Sequence, residues 1–416
     1  MNRGLTFAVA AGAALLMAGC GGGSNPSAPS LSTVASVNAA STAPSAGPSG
    51  GFNNFVVFGD SLSDDGAYTL AAVGVYGSAP FSIPFLGTLP YSAGGQFTVN
   101  GASTGNWTGV LAQNMGLSLA PNVVGYTTSG VTAYLTPTGT TTTLSSATCA
   151  FNTAPSGSPK NCTDFAQGGS MVANADGIGH STGALTYPVT QQLQNYLGEF
   201  GSFNSSQLVS VLAGNNDIFT ALSGVQTAES QGVAQSTAVA QAQATVAVAA
   251  DQLAGVVKSI LSNGGRYVVV YTLPDSSLSP FGQSLAGGTT CDNKNPQTAC
   301  YLLSNLVQVF NQRLLNDLQG QPVKMIDGFA LLNQEIASPA SFGFTNVSTP
   351  WCDLSAAYVN NTSLLCNVNT PATAYGASTS NLGSWLFADA VHPTPAGYQV
   401  IANATLAELR SFGWVS

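Results

Sequence analysis

The chain is 416 residues long and carries 8 Lys or Arg against 17 Asp or Glu, a charged share of 6% and a net charge of −9. Ordinary globular proteins hold about four times that charged share, so a charged disordered tail, a coiled coil and a basic nucleic-acid binder are excluded. With 44% hydrophobic residues and 47 Gly, what fits is a loop-rich globular protein whose surface Ser, Thr, Asn and Gln keep polar.

At the start, Arg3 precedes an apolar or small run from Leu5 to Gly19, too short for a membrane span and of the length of an export-signal core. It ends Leu-Met-Ala-Gly before Cys20, which resembles a bacterial lipobox: a signal over 1–19, then a lipidated Cys20. Gly21 after that cysteine fits sorting to the outer membrane or cell surface; if the box is not used, the chain is secreted. Residues 20–50 are mostly Gly, Ser, Ala and Pro, the composition of a flexible tether. Residues 51–416 are then expected to form one domain.

The first buried-strand pattern is Phe55–Phe58, and it runs straight into FGDSLSDDG. Ser61 therefore stands in a turn at a strand's end, where a hydroxyl projects from the sheet edge; as a bare string, most such serines are turn formers or helix caps. Phe81, Phe85, Tyr91, Phe97 and Trp107 follow, candidates equally for an apolar acyl groove or for the core. Gly-Ala-Ser-Thr-Gly at 101–105 matches the G-x-S-x-G nucleophile elbow, but that motif needs a buried strand before it and GQFTVN is mostly polar. Ser103 is accordingly read as part of a loop near the site. In DFAQGGS (164–170), Gly168 and Gly169 lack a Cβ and let a backbone N–H approach a ligand closely. His180, in GIGHSTG, has Asp176 four residues back and is read as a loop residue.

A second strand, Leu208–Ala213, leads into GNND, where the Asn216 amide can reach a site at the sheet edge. Residues 228–262, rich in Ala, Val and Gln, read as a helix stopped by Asn263-Gly264-Gly265. Strand Tyr267–Leu273, a helix over 301–319 with Leu302, Leu306, Val309, Phe310 and Leu314 on one stripe, and strand Val323–Asp327 complete the pattern. Strands apolar on both faces and alternating with helices predict an α/β fold with an open parallel sheet covered on both sides. Chemistry in such sheets sits beyond the carboxyl ends of the strands.

Apart from Cys20 there are six cysteines, which allow 15 pairings. They fall into three close pairs, favouring local bridges Cys149–Cys162, Cys291–Cys300 and Cys352–Cys366. No CxxC spacing or neighbouring His supports a metal site. Near the end, FADAVHPTPAGY sets Asp389 three residues before His392. One turn can then present a carboxylate to one ring nitrogen while the other takes a proton from a serine.

Together and in this order, FGDSLSDDG, DFAQGGS, GNND and DAVHPTPAGY resemble the four blocks of the GDSL lipase/esterase (SGNH hydrolase) superfamily, in the secreted bacterial branch of phospholipase/lecithinase/hemolysin-like esterases. The likeness runs from about Phe55 to the C-terminus, broken by extra segments near 118–163 and 276–300. It implies a three-layer α/β/α fold with a flavodoxin-like parallel sheet and disulfide-tied loop insertions. It also implies a serine esterase or lipase working through an acyl-enzyme: nucleophile Ser61, base His392, orienting Asp389, and an oxyanion hole of Ser61, Gly169 and Asn216. Asp164 stands where the family's second block usually has Asn. No metal or organic cofactor is implied. The expected substrates are short- to medium-chain acyl esters or phospholipids, the expected state a monomer held to the membrane by its lipid, with no nucleic-acid partner. A non-catalytic surface-binding lipoprotein on the same fold, and an acyltransferase using the same site, are the alternatives.

Overall fold

A computed structural model of the protein describes residues 31–68, 81–83, 87–89, 95–122, 125, 162–286, 291–296, 298–355 and 361–416, those at 81–83 and 87–89 by their backbone. Its centre is a parallel sheet of β1 (Asn54–Gly59), β4 (Gln207–Leu212), β5 (Tyr267–Tyr271) and β6 (Lys324–Ile326), paired in that order. The remaining strands, β2 (Phe81–Ile83) and β3 (Gly87–Leu89), form a separate antiparallel pair. In register, Phe55 lies opposite Leu208, Leu208 opposite Tyr267 and Val269 opposite Lys324. Every residue of β4 and β5 is buried, which explains why these strands do not alternate between apolar and polar residues.

A fifth position in the sheet carries no regular strand. Val57 N–H donates to Thr163 O, Phe165 N–H to Val57 O (both 2.9 Å) and Gln167 N–H to Gly59 O (3.3 Å). The 163–167 segment thus runs parallel beside β1, on the edge away from β4, and the spatial order becomes that of a flavodoxin-like sheet. Asp164 turns the other way, pairing with Ala120 and Asn122.

The helices, in chain order, are α1 (Val34–Ala40), α2 (Trp107–Asn114), α3 (Val189–Phe200), α4 (Asn215–Ser230), α5 (Gln235–Ser262), α6 (Pro280–Leu285), α7 (Ala299–Leu318), α8 (Gly328–Ala337) and α9 (Pro395–Ser411). Alternation along β1 assigns the two faces. Phe55 meets Trp107 of α2, which also packs on Tyr271, and the Tyr271 hydroxyl bonds Thr405 of α9 (2.8 Å). Phe58 points oppositely, to Phe165, Tyr196 of α3 and Phe203. On that second face α3, α4, α5 and α7 pack against one another, giving three layers. Trp107 is therefore core and not groove.

The helix expected over 228–262 is two. α4 ends at Ser230 and a turn through Gly232 (φ +85°) restarts the chain as α5. α5 is long and apolar enough to cross a membrane by length and composition, but Ala238, Ala242, Val246, Ala249, Leu253 and Ile260 form a buried stripe at helical spacing, packed toward α4 and α7.

The tether expected over 20–50 requires correction from residue 33 onward. Thr33 caps α1 reciprocally with Ser36, and Val37 is fully buried. Asn38 pairs with Met325 of β6 as a strand would, its Nδ2 donating to Met325 O (2.9 Å) and its Oδ1 accepting from Met325 N (2.6 Å). Further along, Tyr267 donates to Ala46 O and Trp414 Nε1 to Pro44 O. This strap covers the outer edge of β6, whose unpaired backbone would otherwise be exposed. Its small and polar residues attach through hydrogen bonds, so composition alone did not mark them as packed.

Cys291–Cys300 and Cys352–Cys366 are bonded as expected. Cys162 is also in a disulfide; its expected partner Cys149, like Cys20 and the side chains of Phe81, Phe85 and Tyr91, lies outside the described residues.

Candidate active site

The nucleophile candidate is placed by the end of β1. A Cβ on Gly59 would lie 2.4 Å from Leu212 O, so only Gly lets β1 and β4 run this close where the turn begins. The turn then closes through Ser63 N–H to Asp60 O (3.0 Å) and Leu62 N–H to the Asp60 carboxylate (3.0 Å). Ser61 Oγ lies 2.7 Å from His392 Nε2. His392 arrives from the turn before α9, which Thr394 caps, and its Nδ1 lies 2.7 Å from Asp389 Oδ2 and 2.9 Å from Oδ1.

Asp389 also accepts from the N–H groups of Val391 and His392, and from both the N–H (2.7 Å) and the hydroxyl (2.6 Å) of Ser363. Burial by itself raises a carboxyl pKa, but here the His392 charge and hydrogen bonds, with those from Ser363 and Val391, outweigh it and bring Asp389 to about 2. A carboxylate at Nδ1 fixes the imidazole proton there and leaves Nε2 as the acceptor for the serine proton. Asp389 and His392, the latter 331 positions from Ser61, thus assemble with that serine into one hydrogen-bonded line.

Hydrogen-bond donors near Ser61 come from two loops and from the first turn of α4. Among the described residues no hydrogen bond engages the backbone N–H of Ser61 or Gly169. Gly169 has φ +79°, and a Cβ there would fall 2.0 Å from Ile178 O. Asn216 stands in the first turn of α4, after Gly214 (φ +130°), and spends one Nδ2 proton on Ser170 O (2.9 Å), which leaves the amide a second. Asp64 joins the two loops: it accepts from Gly66 and Ala67 beside Ser61 and from Gly168 N (2.9 Å) across the site.

Asp164 takes an acceptor role where an amide was expected, receiving Asp65 N (2.7 Å) and Ala166 N (2.9 Å). Burial, with Asp64 and Asp65 nearby, pushes its pKa well above the usual carboxyl value. Burial likewise raises Asp60 to about 6, Asp64 to about 7, Asp65 to about 8 and Asp217 to about 7.

Ser61, Gly169, Asn216, Asp389 and His392 all line one cavity of about 390 Å³. Its other walls are largely apolar: Phe97, Ile178, Phe219, Phe281, Leu332, Phe387 and Val391 among them. Phe97 was among the expected groove residues and packs on the His392 ring (centroids 4.9 Å apart). Sequence reading missed Phe219, although it lies three residues beyond Asn216 and so on the same helix face. It also missed Ser363, for which no local signal existed. Ser103 is exposed and His180 sits in a separate turn beside Thr186 (3.2 Å); neither lines the cavity.

Comparison with known proteins places the chain in a family. The GDSL-like lipase/acylhydrolase family model matches residues 55–405, and the chain belongs to that family. It is 29% identical over 385 residues to an uncharacterized Pseudomonas putida protein of the trpE-trpG intergenic region, covering 89% of this chain and 50% of that protein. It is also similar to two Arabidopsis thaliana proteins, GDSL esterase/lipase APG (26% over 165 residues, 38% of this chain and 43% of the relative) and GDSL esterase/lipase At5g45950 (26% over 146 residues, 35% and 38%). The matched region spans half or less of each of these relatives.

Proposed function

We propose that the protein is a serine ester hydrolase acting on short- to medium-chain acyl esters or phospholipids. The observation that carries this is the line Ser61–His392–Asp389, with links of 2.7 and 2.7 Å, opening into an apolar cavity with uncommitted backbone donors beside the serine. Ser61 Oγ bonds the ester carbonyl carbon as its proton passes to His392 Nε2. The carbonyl oxygen becomes an oxyanion facing the N–H groups of Ser61 and Gly169 and the Asn216 amide. Collapse breaks the bond to the alcohol, which leaves with the proton from His392. Water then repeats the sequence on the acyl-enzyme, releasing the carboxylic acid and restoring Ser61. The buried Asp389 carboxylate orients the ring and stabilises it while charged.

The chain is further proposed to be exported and lipidated at Cys20, acting as a monomer at the cell surface with the acyl anchor supplying its membrane affinity. Loss of palmitate labelling in Cys20→Ala tests that part, and equal labelling of variant and wild type refutes it. For the catalytic part, a fluorophosphonate probe is expected to form one adduct, on the peptide carrying Ser61. An adduct mapped to Ser103, or no adduct on an enzyme that turns over ester, overturns the assignment.

A further inference from the structure

The loop closed by Cys352–Cys366 meets the Asp389 carboxylate through Ser363 and the backbone just before Asp389 through Cys352. Of the donors to Asp389 among the described residues, those of Val391 and His392 belong to its own turn, and those from elsewhere both come from Ser363. Ser363 is fully buried and opens a short 3₁₀ turn that runs directly into Cys366, whose N–H returns to Ser363 O (2.9 Å). The other half-cystine reaches the same place along the chain before Asp389: Cys352 N–H donates to Ala388 O (3.0 Å) and Trp351 N–H to Phe387 O (2.9 Å). Asn100 Nδ2 pins Cys366 O from outside (2.8 Å).

We propose that Ser363 is a positioning residue for Asp389 and that the Cys352–Cys366 bond holds it there, so that turnover depends on the oxidised loop; this rests on the reading of Ser61, His392 and Asp389 as the reacting triad. Both Ser363 donors meet Oδ2, the oxygen nearer His392 Nδ1. They set the rotation of the carboxylate, and through it the tilt of the imidazole toward Ser61. Without them a buried carboxylate with fewer donors rotates more freely and holds its charge less well. Opening the disulfide leaves every triad atom in place but removes the covalent tie that keeps the 3₁₀ turn against Asp389. Reduction by dithiothreitol is balanced: its two thiols close to a cyclic disulfide, and the Sγ–Sγ bond takes up two electrons and two protons as two thiols.

The test is a double-mutant cycle on kcat with a p-nitrophenyl ester. Ser363→Ala is expected to lower kcat by about tenfold with KM changed less than about twofold, the effect of losing one hydrogen bond to a charged group. In the Asp389→Ala background the same substitution is expected to change kcat by less than about twofold, because it acts only through the carboxylate. The paired change Cys352→Ala with Cys366→Ala reads the same coupling without substituting either partner of the Ser363–Asp389 hydrogen bonds, and is expected to show the same pattern. Wild type reduced with dithiothreitol needs no substitution and is expected to lose kcat likewise. Equal losses in both backgrounds, or an unchanged kcat in Ser363→Ala and in the reduced enzyme, overturn the proposal. Should Asp389→Ala itself keep wild-type kcat, the triad reading has failed, which the cycle reports separately.

Discussion

Substituting Gly169 by Ala separates the two reasons this position is glycine. Its φ of +79° disfavours any side chain, a strain of about 1 kcal/mol. Its Cβ would also stand 2.0 Å from Ile178 O, where ordinary contact begins near 3.4 Å, and that carbonyl is backbone with no side chain to swing aside. The loop must therefore open by more than an ångström, and the Gly169 N–H moves with it. Removing one oxyanion donor costs about 10²–10³ in kcat, about 3–4 kcal/mol. Gly201→Ala is the control: it shares φ +79° and an added Cβ there meets nothing within 4 Å. The expected outcome is a lowered melting temperature in both, further in Gly169→Ala where the clash adds to the strain, with a kcat loss of about 10² or more in Gly169→Ala alone. A Gly169→Ala enzyme within about threefold of wild-type kcat refutes the placement of that N–H at the oxyanion.

Asp389→Asn is expected to cost less in kcat than His392→Ala, since the carboxylate orients the base and does not itself take the serine proton; equal losses would contradict this. Stability is expected to fall as pH rises from about 5 to about 8. Asp60, Asp64, Asp65, Asp217 and Glu335 have folded-state pKa values raised to about 6–8 by burial, so the folded state keeps protons the unfolded chain loses near pH 4. Asp389, lowered to about 2, works oppositely: its contribution is present above about pH 4 and is lost as pH falls toward 2. Melts at pH 5, 6.5 and 8 check the sign, and a melting temperature that climbs across this range contradicts it. Esters with short to medium acyl chains are expected to give the highest kcat/KM, given a cavity of about 390 Å³; an optimum at long chains would contradict that.

Sequence reading succeeded where one local signal carried the structure. The four strands appeared as mostly apolar, non-alternating runs because both of their faces are largely covered, and Asp389 with His392 because one turn brings them together. Ser61, Gly169 and Asn216 were located by the family resemblance more than by composition. Reading failed where attachment depends on distant hydrogen bonds. Asn38 mimicking a strand beside Met325, Thr163 and Gln167 holding the fifth sheet position, and Ser363 on Asp389 are all polar residues in polar, glycine- or serine-containing stretches. Their partners lie tens to hundreds of positions away, so no window of sequence distinguishes them from loop residues. The break between α4 and α5 was carried by Gln231-Gly232 inside an otherwise continuous Ala-rich stretch, a single glycine that helical periodicity absorbs. Trp107 went to the core because the helix it opens lies on the sheet.

The most direct measurement is turnover of a p-nitrophenyl ester by Ser61→Ala beside Ser103→Ala, both shown folded by near-ultraviolet circular dichroism. The account predicts a kcat loss of about 10⁵–10⁶ in the first and near wild-type activity in the second; a Ser61→Ala enzyme as active as wild type would contradict it.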